Sequence, residues 1–185
     1  MSLGPLERRE LIALARASIE SALPEGRFST CERLPSTPAL MQRRSSFVTL
    51  RTRGQLRGCC GSLDAARPLA EDVWRNAWAC AFSDPRFPRL SRDEWPHVHL
   101  HISVLSPLAP MTFLSEEDLI AQLRPFVDGL IIEAGEARAT FLPAVWNQII
   151  DPRQFVRQLK CKAHLPADYW SPDLRAYRYT TESFE

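Results

Sequence analysis

Alternating segments joined by tight turns constrain the fold of this chain more than any other feature. Residues 46–52 read SFVTLRT, in which successive side chains fall on opposite faces of a strand, and a turn containing Gly54 leads into residues 55–60. Strands that follow each other across so short a turn pair antiparallel. The same arrangement recurs at residues 127–133 and 137–142, so we expect a sheet built from hairpins.

Helices are predicted outside these hairpins. Apolar residues recur at the helical period over residues 5–23 and 68–82, and Asp151 is a suitable N-cap for a helix over residues 152–163. This order predicts an α+β fold, a mostly antiparallel sheet or open barrel flanked by helices, with two lobes in one domain. Since the chain is long for one average domain and short for two, residues 1–185 are predicted to form a single domain.

Less regular segments lie between these elements. We predict an irregular stretch over residues 24–44, a strand over 97–105, a short helix from Ser115 to Leu123, a helical stretch over 143–150 and a last strand over 174–181. The strand predicted at 97–105 places three histidines on one face: His97, His99 and His101. They could be metal ligands, or they could form the polar, solvent-facing side of the strand. No carboxylate or cysteine is spaced nearby as a further ligand, so no metal site is predicted.

Charge and cysteine content exclude several classes of protein. The net charge of +1 gives no global field for nucleic acid or an anionic membrane. Arginines cluster over residues 43–57, but nucleic-acid binding is not the expected function. No apolar run is long enough to span a bilayer. The odd count of five cysteines does not suggest a disulfide framework, so we expect a cytoplasmic protein with reduced thiols.

The second strand of the first hairpin carries the candidate site. If residues 55–60 alternate, Leu56 and Cys60 face the core, whereas Arg57 and Cys59 share the other face. A permanent positive charge near a cysteine favours its reactive thiolate form. Cys59 is therefore a candidate nucleophile, with Arg57 as its cation. The alternative is that Cys59 is a packed cysteine, since the sequence shows no base beside it. The fold would have to bring a base to the thiol, and the candidates for that base are His164 and the histidines over 97–101.

Polar and small residues near this strand complete the candidate site. Gly58 and Gly61 flank the thiol and allow close approach by a substrate, another chain or a neighbouring loop. Asp84 and Arg86, in the loop DPRFP, could bind an anion or pair with each other; alternatively Asp84 caps the loop.

The hairpin belongs to a series of motifs that resembles a known family. LRGCCG at residues 56–61 resembles the LRGCIG signature of the AmmeMemoRadiSam system protein A family, which carries the AMMECR-type domain. Further blocks resemble the same family in the same order: FVTL at 47–50, PLAEDV at 68–73, DPRFP at 84–88, ISVLSP at 102–107, DGLII at 128–132, LP with a valine at 142–145, and KA with LP at 162–166. The resemblance is strongest over residues 40–170.

The resemblance implies an α+β fold with two lobes and an association with a Memo-like protein and a radical SAM protein. It does not fix a reaction or a cofactor. Three positions depart from the family pattern: Cys60 replaces an aliphatic residue, His101 replaces a glutamate and His164 replaces a glycine. The last two weaken any scheme that requires that glutamate or gives His164 a role shared by the family.

Two functions remain open. The chain could be an enzyme, or a subunit of one, in which Cys59 is a nucleophile or thiol carrier and Arg57 holds the thiolate or an anionic substrate. Alternatively, it could be a non-catalytic adaptor whose hairpin docks a Memo-like or radical SAM partner, with Cys59 as a packing residue.

Overall fold

The computed structural model describes residues 2–185, which separate into two compact units. The first unit extends to Leu105 and also includes Glu182–Glu185, and the second is Ser106–Thr181. Each unit has a four-stranded sheet of its own.

The first unit combines three helices with its sheet. Its elements are α1 (Pro5–Ala22), α2 (Pro38–Met41), β1 (Ser46–Thr52), β2 (Gln55–Gly61), α3 (Leu69–Phe82), a 3-10 turn (Trp95–His97), β3 (Val98–Leu105) and β8 (Thr181–Phe184). The strand order is β2-β1-β3-β8, and β1 pairs antiparallel with β2 on one side and with β3 on the other.

The second unit has a smaller set of elements. They are β4 (Ala109–Pro110), α4 (Glu116–Ala121), β5 (Gly129–Ala134), β6 (Ala137–Phe141), a 3-10 turn (Pro143–Asn147), α5 (Pro152–Lys162) and β7 (Arg175–Tyr179). The strand order is β4-β7-β5-β6, and β5 pairs antiparallel with both β6 and β7.

The core of the first unit forms where α1 and α3 pack together and α3 packs on β1 and β2. Apolar residues at the helical period bury one side of each helix, including Leu11 and Ile19 of α1 and Val73 of α3. Val48 and Leu50, two residues apart on β1, are completely buried in the same core. Burial of this one sheet face fixes the register of the hairpin that carries the candidate site.

A buried carboxylate joins α3 to the beginning of β1. Asp72 accepts hydrogen bonds from the backbone N–H and the hydroxyl of Ser46, from Ser62 and from Asn76, over 2.7 to 2.9 Å. Each hydrogen bond satisfies a polar group that would otherwise be costly to bury. Together these bonds hold α3 against the start of β1 and the residue that follows β2.

The core of the second unit is centred on two aromatic rings. Trp146 and Phe155 are fully buried and stack with ring centroids 3.8 Å apart. Asp151 caps α5 by accepting hydrogen bonds from the backbone of Arg153 and Gln154. Ser115 caps α4 in the same way through the backbone N–H of Asp118, as the sequence predicts.

The predicted fold class is confirmed. The structure contains helices and two open sheets built from antiparallel hairpins. Of the two predicted arrangements, the structure therefore has antiparallel sheets with helices and not an open barrel. The hairpins form at the predicted positions, and the predicted helices over 5–23, 68–82 and 152–163 match the observed ones to within about one residue.

Four boundaries differ from the sequence prediction. The strand predicted over 174–181 is two strands, β7 and β8, which belong to different sheets. The helical stretch predicted over 143–150 is only a 3-10 turn, and β3 begins after His97. The segment 24–44 is mostly irregular but includes the short helix α2. For the strands, local periodicity could not show where hydrogen bonding with a distant strand begins or ends. The 3-10 turn and α2 are too short for a helical period to identify them.

Candidate functional site

A β-bulge interrupts the hairpin at the centre of the candidate site. Leu56 lies opposite Arg51, and Gly58 lies opposite the neighbouring Leu50, so Arg57 has no residue opposite it on β1. One extra residue in a strand shifts the alternation of side chains by one position. On β2, the side chains before Arg57 therefore lie on the opposite face from the one that regular alternation predicts for them.

The bulge corrects the prediction that Leu56 faces the core. Leu56 lies opposite the exposed Arg51 and is itself 39% exposed. Cys60 lies opposite the buried Val48 and packs against the core, as expected. Burial raises the pKa of the Cys60 thiol to about 11, so this cysteine stays protonated at neutral pH.

The side chain of Arg57 forms hydrogen bonds with residues other than Cys59. Its guanidinium donates to both carboxylate oxygens of Glu94, over 2.9 and 3.1 Å, and to the carbonyl of Pro88 over 2.9 Å. The side chain is buried, whereas Glu94 is partly exposed. These bonds hold the pKa of the Glu94 carboxyl down, at about 2. Arg57 thus joins β2 to the segment that precedes β3. Among the described residues, its guanidinium makes no hydrogen bond to Cys59, so the predicted role of Arg57 beside the thiol has no contact to support it.

Cys59 lies on the sheet face opposite the helices. It is paired with Thr49 of β1, whose hydroxyl donates a hydrogen bond to the sulfur over 3.5 Å. The thiol is half-buried. Two bonds fix its peptide backbone: the N–H of Cys59 donates to Asp84 over 3.0 Å, and its carbonyl accepts from Arg86 over 3.2 Å.

Asp84 and Arg86 form a tight pair next to this cysteine. The guanidinium of Arg86 donates to the two carboxylate oxygens of Asp84 over 3.0 and 2.7 Å. Asp84 is buried and Arg86 is half exposed. The bond from Arg86 is the main cause that lowers the pKa of Asp84 to about 2. The structure therefore brings Cys59, Asp84 and Arg86 together, and electrostatic attraction to Cys59 is among the causes that raise the pKa of the Arg86 guanidinium.

Gly58 and Gly61 are in close contact with other residues of the first unit. A Cβ atom at Gly58 would overlap the backbone carbonyl of Cys80 in α3, and one at Gly61 would overlap the ring of Phe47 and the carbonyl of Ser46. Close packing of α3 on the hairpin thus requires glycine at 58. The predicted contribution of Gly58 and Gly61 to binding a substrate or partner stays a prediction.

A row of polar residues crosses the sheet at Cys59. Thr49 is flanked by Cys59 on β2 and by His101 on β3, and residues opposite each other share a face. With strands about 4.8 Å apart, the backbones of Cys59 and His101 lie about 10 Å from each other. Burial lowers the pKa of His101, which favours the neutral imidazole. Of the other candidate bases, His99 lies opposite Arg51, His97 ends the turn before β3, and His164 lies in the second unit.

Sequence reasoning missed two residues of this neighbourhood. Glu94 binds Arg57 from a position 37 residues away, and Thr49 binds the Cys59 sulfur from the paired strand. The hairpin register would have indicated Thr49 if the bulge had been known, but no local pattern points to Glu94.

Within residues 2–185, no group of three or more His, Cys, Asp or Glu side chains is placed to hold a metal ion. In the same part of the chain, none of the helices is both long and apolar enough to cross a membrane.

Comparisons with known proteins agree on one family. The family model described as AMMECR1 matches residues 12–184. A protein from Methanothermobacter thermautotrophicus is 37% identical, with 100% of this chain and 98% of that protein covered. One from Thermotoga maritima is 36% identical over 78% of this chain and 79% of its own length. The crystal structure of an uncharacterized protein from Pyrococcus horikoshii superimposes with a TM-score of 0.85 at 32% identity and covers 94% of this chain and 88% of that one.

Proposed function

The chain belongs to the AMMECR1 family, and we propose that it is an enzyme, or a subunit of one, whose reactive group is the thiol of Cys59. The observation that carries this proposal is the way the residue is held. Its backbone is fixed on both sides by Asp84 and Arg86, its sulfur accepts a hydrogen bond from Thr49, and the thiol is only half-buried.

Arg86 takes the role that the sequence assigns to Arg57. The Arg86 guanidinium is half exposed, and electrostatic attraction to Cys59 is among the causes that raise its pKa. A fixed cation beside a thiol favours the thiolate, which is the nucleophilic form. Asp84 offsets part of this charge but also holds the guanidinium in place. The exposed part of Arg86 remains able to bind an anionic group of a substrate.

His101 is our candidate for the acid–base group. It shares the sheet face and the cross-strand row of Cys59, but at about 10 Å the two side chains are too far apart for direct proton transfer. A substrate that lies across Thr49 could contact both. The Cys59 thiolate would then form a bond to an electrophilic carbon of the substrate as the bond from that carbon to its leaving group breaks. His101, after taking up a proton from solvent, would donate that proton to the departing group.

The partners proposed for this enzyme are a Memo-like protein and a radical SAM protein, in the cytoplasm. Both assignments rest on the family resemblance and the cysteine content of the sequence. Isolation of the tagged protein from its own cells, followed by identification of bound proteins, tests the partners directly.

Thiol labelling tests the reactive-cysteine proposal without knowledge of the substrate. The folded protein is treated with iodoacetamide at pH 7, and modification of each cysteine is followed by peptide mass spectrometry. Cys161, which is exposed, is the internal reference, and a Cys59→Ser variant identifies the signal. Fragment ions separate Cys59 from the protonated Cys60.

We expect Cys59 to react about fivefold faster than Cys161, because a thiolate and not a thiol is the nucleophile. The Cys59→Ser variant should retain the circular-dichroism spectrum and melting temperature of the parent. A Cys59 that reacts more slowly than Cys161 in the folded protein contradicts the proposal.

The adaptor function is the second candidate, and one observation favours it. The hydrogen bond that the structure gives the Cys59 sulfur comes from a hydroxyl and not from a base. The bulge also exposes Leu56 next to the site. Leu56→Glu should then abolish capture of the partner proteins, whereas Leu114→Glu, at a residue that is 91% exposed in the second unit, should not. Capture that survives Leu56→Glu contradicts the adaptor function at this hairpin.

A further inference from the structure

The turn that leads into β5, residues 124–128, exposes an aromatic side chain in a strained conformation. Phe126 has a φ of 64°, which is unfavourable for a bulky side chain. Among the described residues other than glycine, Arg53 and His164 also have a positive φ. Arg53 lies in the turn between β1 and β2 and His164 follows the C-cap of α5, where this conformation is common. Phe126 lies at neither kind of position and is 56% exposed, and its neighbour Val127 is 45% exposed.

Hydrogen bonds around a buried carboxylate fix this turn. Asp128 is completely buried, and it accepts from the backbone N–H of Arg124 over 2.9 Å and from the Arg124 guanidinium over 2.6 Å. The N–H of Asp128 donates back to the carbonyl of Arg124 over 3.0 Å, and the indole of Trp146 donates to the carbonyl of Asp128 over 2.7 Å. The surroundings thus impose the strained conformation of Phe126, and strain held in this way is typical of functional positions.

An apolar groove of about 480 Å³ lies in the same unit. One wall is the segment that follows β4 and the other is the segment that leads into β7. Its large apolar residues include Met111, Phe113, Leu114, Trp170 and Tyr177. Leu114 is 91% exposed and Trp170 is 39% exposed. Contiguous exposed apolar residues mark a surface that binds another molecule.

The turn and the groove lie at opposite ends of the second sheet. β5 and β7 pair antiparallel, with Gly129, directly after the turn, opposite Tyr179 and with Glu133 opposite Arg175. Arg175 lines the groove. Four residue steps separate the two ends, a distance of about 13 Å. The exposed ring of Phe126 therefore does not fill the groove of its own chain, whereas a second copy of the chain brings the same ring from outside.

The charges on the two surfaces permit such a contact. Arg124 at the turn pairs with Asp128 over 2.6 Å. Arg175 is the charged residue of the groove lining and pairs with Glu133 over 3.5 Å. The side chain of Arg175 is 65% exposed, so its guanidinium can stay in water at the rim. Association at these surfaces thus buries no unpaired charge, which would oppose it.

From these observations, we propose that two copies of this chain form a symmetric dimer in which the turn of each copy inserts Phe126 into the groove of the other. About a twofold axis the two contacts form together, so the assembly closes at two copies. The groove volume exceeds that of a phenylalanine side chain. This interface goes beyond the proposed function and does not depend on the Cys59 thiol.

Sedimentation velocity of the protein over a range of concentrations tests this proposal. Phe126→Gly removes the inserted ring and also relieves the strained backbone. Leu114→Glu places a charge in the groove at a residue that is almost fully exposed. Arg53→Gly is the matched control, because it relieves a φ of 52° in the first unit, outside both surfaces.

We expect a reversible equilibrium between monomer and dimer in the parent. Phe126→Gly and Leu114→Glu should each raise the dissociation constant at least about thirtyfold, and Arg53→Gly should leave it within about twofold of the parent. An equimolar mixture of Phe126→Gly and Leu114→Glu should associate more strongly than either variant alone, since the first supplies an intact groove and the second an intact turn. The dilute Phe126→Gly monomer should unfold at the same temperature as the parent monomer or at a higher one.

Four results would overturn the proposal. They are a parent that stays monomeric at every concentration, a Phe126→Gly variant that dimerises as strongly as the parent, a mixture that associates no better than the separate variants, and a Phe126→Gly monomer that unfolds at a lower temperature than the parent monomer. The last result would show that the ring supports its own fold and not a contact with a second copy.

Discussion

At the scale of single residues, the arginine of the LRGC motif supports the fold more directly than it supports the thiol. Arg57 is buried and makes three hydrogen bonds, two of them to Glu94. Arg86 is the guanidinium at the cysteine. Two arginines that look equivalent in the sequence therefore have different tasks, and substitutions at each should have different consequences.

A double-mutant cycle measures the structural task of Arg57. Arg57→Gln should destabilise the protein by about 2–3 kcal/mol because it breaks a buried, charge-assisted pair. Since Glu94 is partly exposed, the coupling between Arg57→Gln and Glu94→Gln should be smaller, about 1 kcal/mol. Urea denaturation of the parent, the two single variants and the double variant provides the four free energies of unfolding. Additive effects would show that the pair is not formed in solution.

Gly58 provides a second residue-level prediction. Gly58→Ala should destabilise the protein by about 2–3 kcal/mol, because its Cβ would overlap the carbonyl of Cys80 on α3. Gly54→Ala is the control: nothing lies near its Cβ, but its φ of 77° is unfavourable for alanine, so the cost should be about 1 kcal/mol. Equal melting temperatures of the two variants in thermal unfolding would contradict the close packing of α3 on β2.

The sequence predicted several of these residues and not others, for a physical reason. Cys59, Asp84 and Arg86 stand in motifs whose residue types indicate chemistry, and the structure brings them together. Alternation assumes a regular strand and therefore places Leu56 in the core, whereas a bulge of one residue reverses the face on which Leu56 lies. Glu94 could not be found at all, since its contact with Arg57 exists only in the folded chain.

At the scale of secondary-structure elements, hairpins and amphipathic helices were predictable because their signals are local. The division of residues 174–181 between β7 and β8 was not, because both strands alternate and the sheet that each joins is determined by distant strands. The same reason explains β4, a strand of two residues that has no pattern of its own.

The two helices of the second unit are connected by a buried ion pair. The ammonium of Lys160 on α5 is fully buried and donates to Glu116 at the start of α4 over 2.7 Å. Glu116→Gln should cost about 3 kcal/mol, because it leaves a buried charge without its counter-charge. The double variant Lys160→Met/Glu116→Gln should be more stable than Glu116→Gln alone, since removing both partners leaves no buried charge without its counter-charge. Chemical denaturation checks both variants, and a double variant less stable than Glu116→Gln would contradict this account.

At the scale of the whole molecule, the lowered carboxyl pKa values predict how stability depends on acid. The pKa values of Asp84 and Glu94 fall from 3.8 and 4.5 to about 2 on folding. The folded state then binds fewer protons than the unfolded chain, so the stability that these carboxylates contribute is complete above about pH 4.5 and is lost as the pH falls towards 2.

Urea denaturation between pH 6 and pH 2 measures this loss. The variant Arg57→Gln/Glu94→Gln lacks one of the two carboxylates and should lose less free energy of unfolding over the same range than the parent does. A parent protein whose stability is constant from pH 5 to pH 2.5 would contradict the lowered pKa values.

The central claim is that Cys59 is a reactive thiol whose cation is Arg86. The most direct measurement is the rate of iodoacetamide modification of Cys59 at pH 7 in Arg86→Gln, in Arg86→Lys and in Arg57→Gln/Glu94→Gln. We predict a rate several times slower in Arg86→Gln, a rate near that of the parent in Arg86→Lys because the charge is kept, and little change in the double variant. A Cys59 that is equally reactive with and without a positive charge at position 86, or that slows only when Arg57 is lost, would contradict the claim.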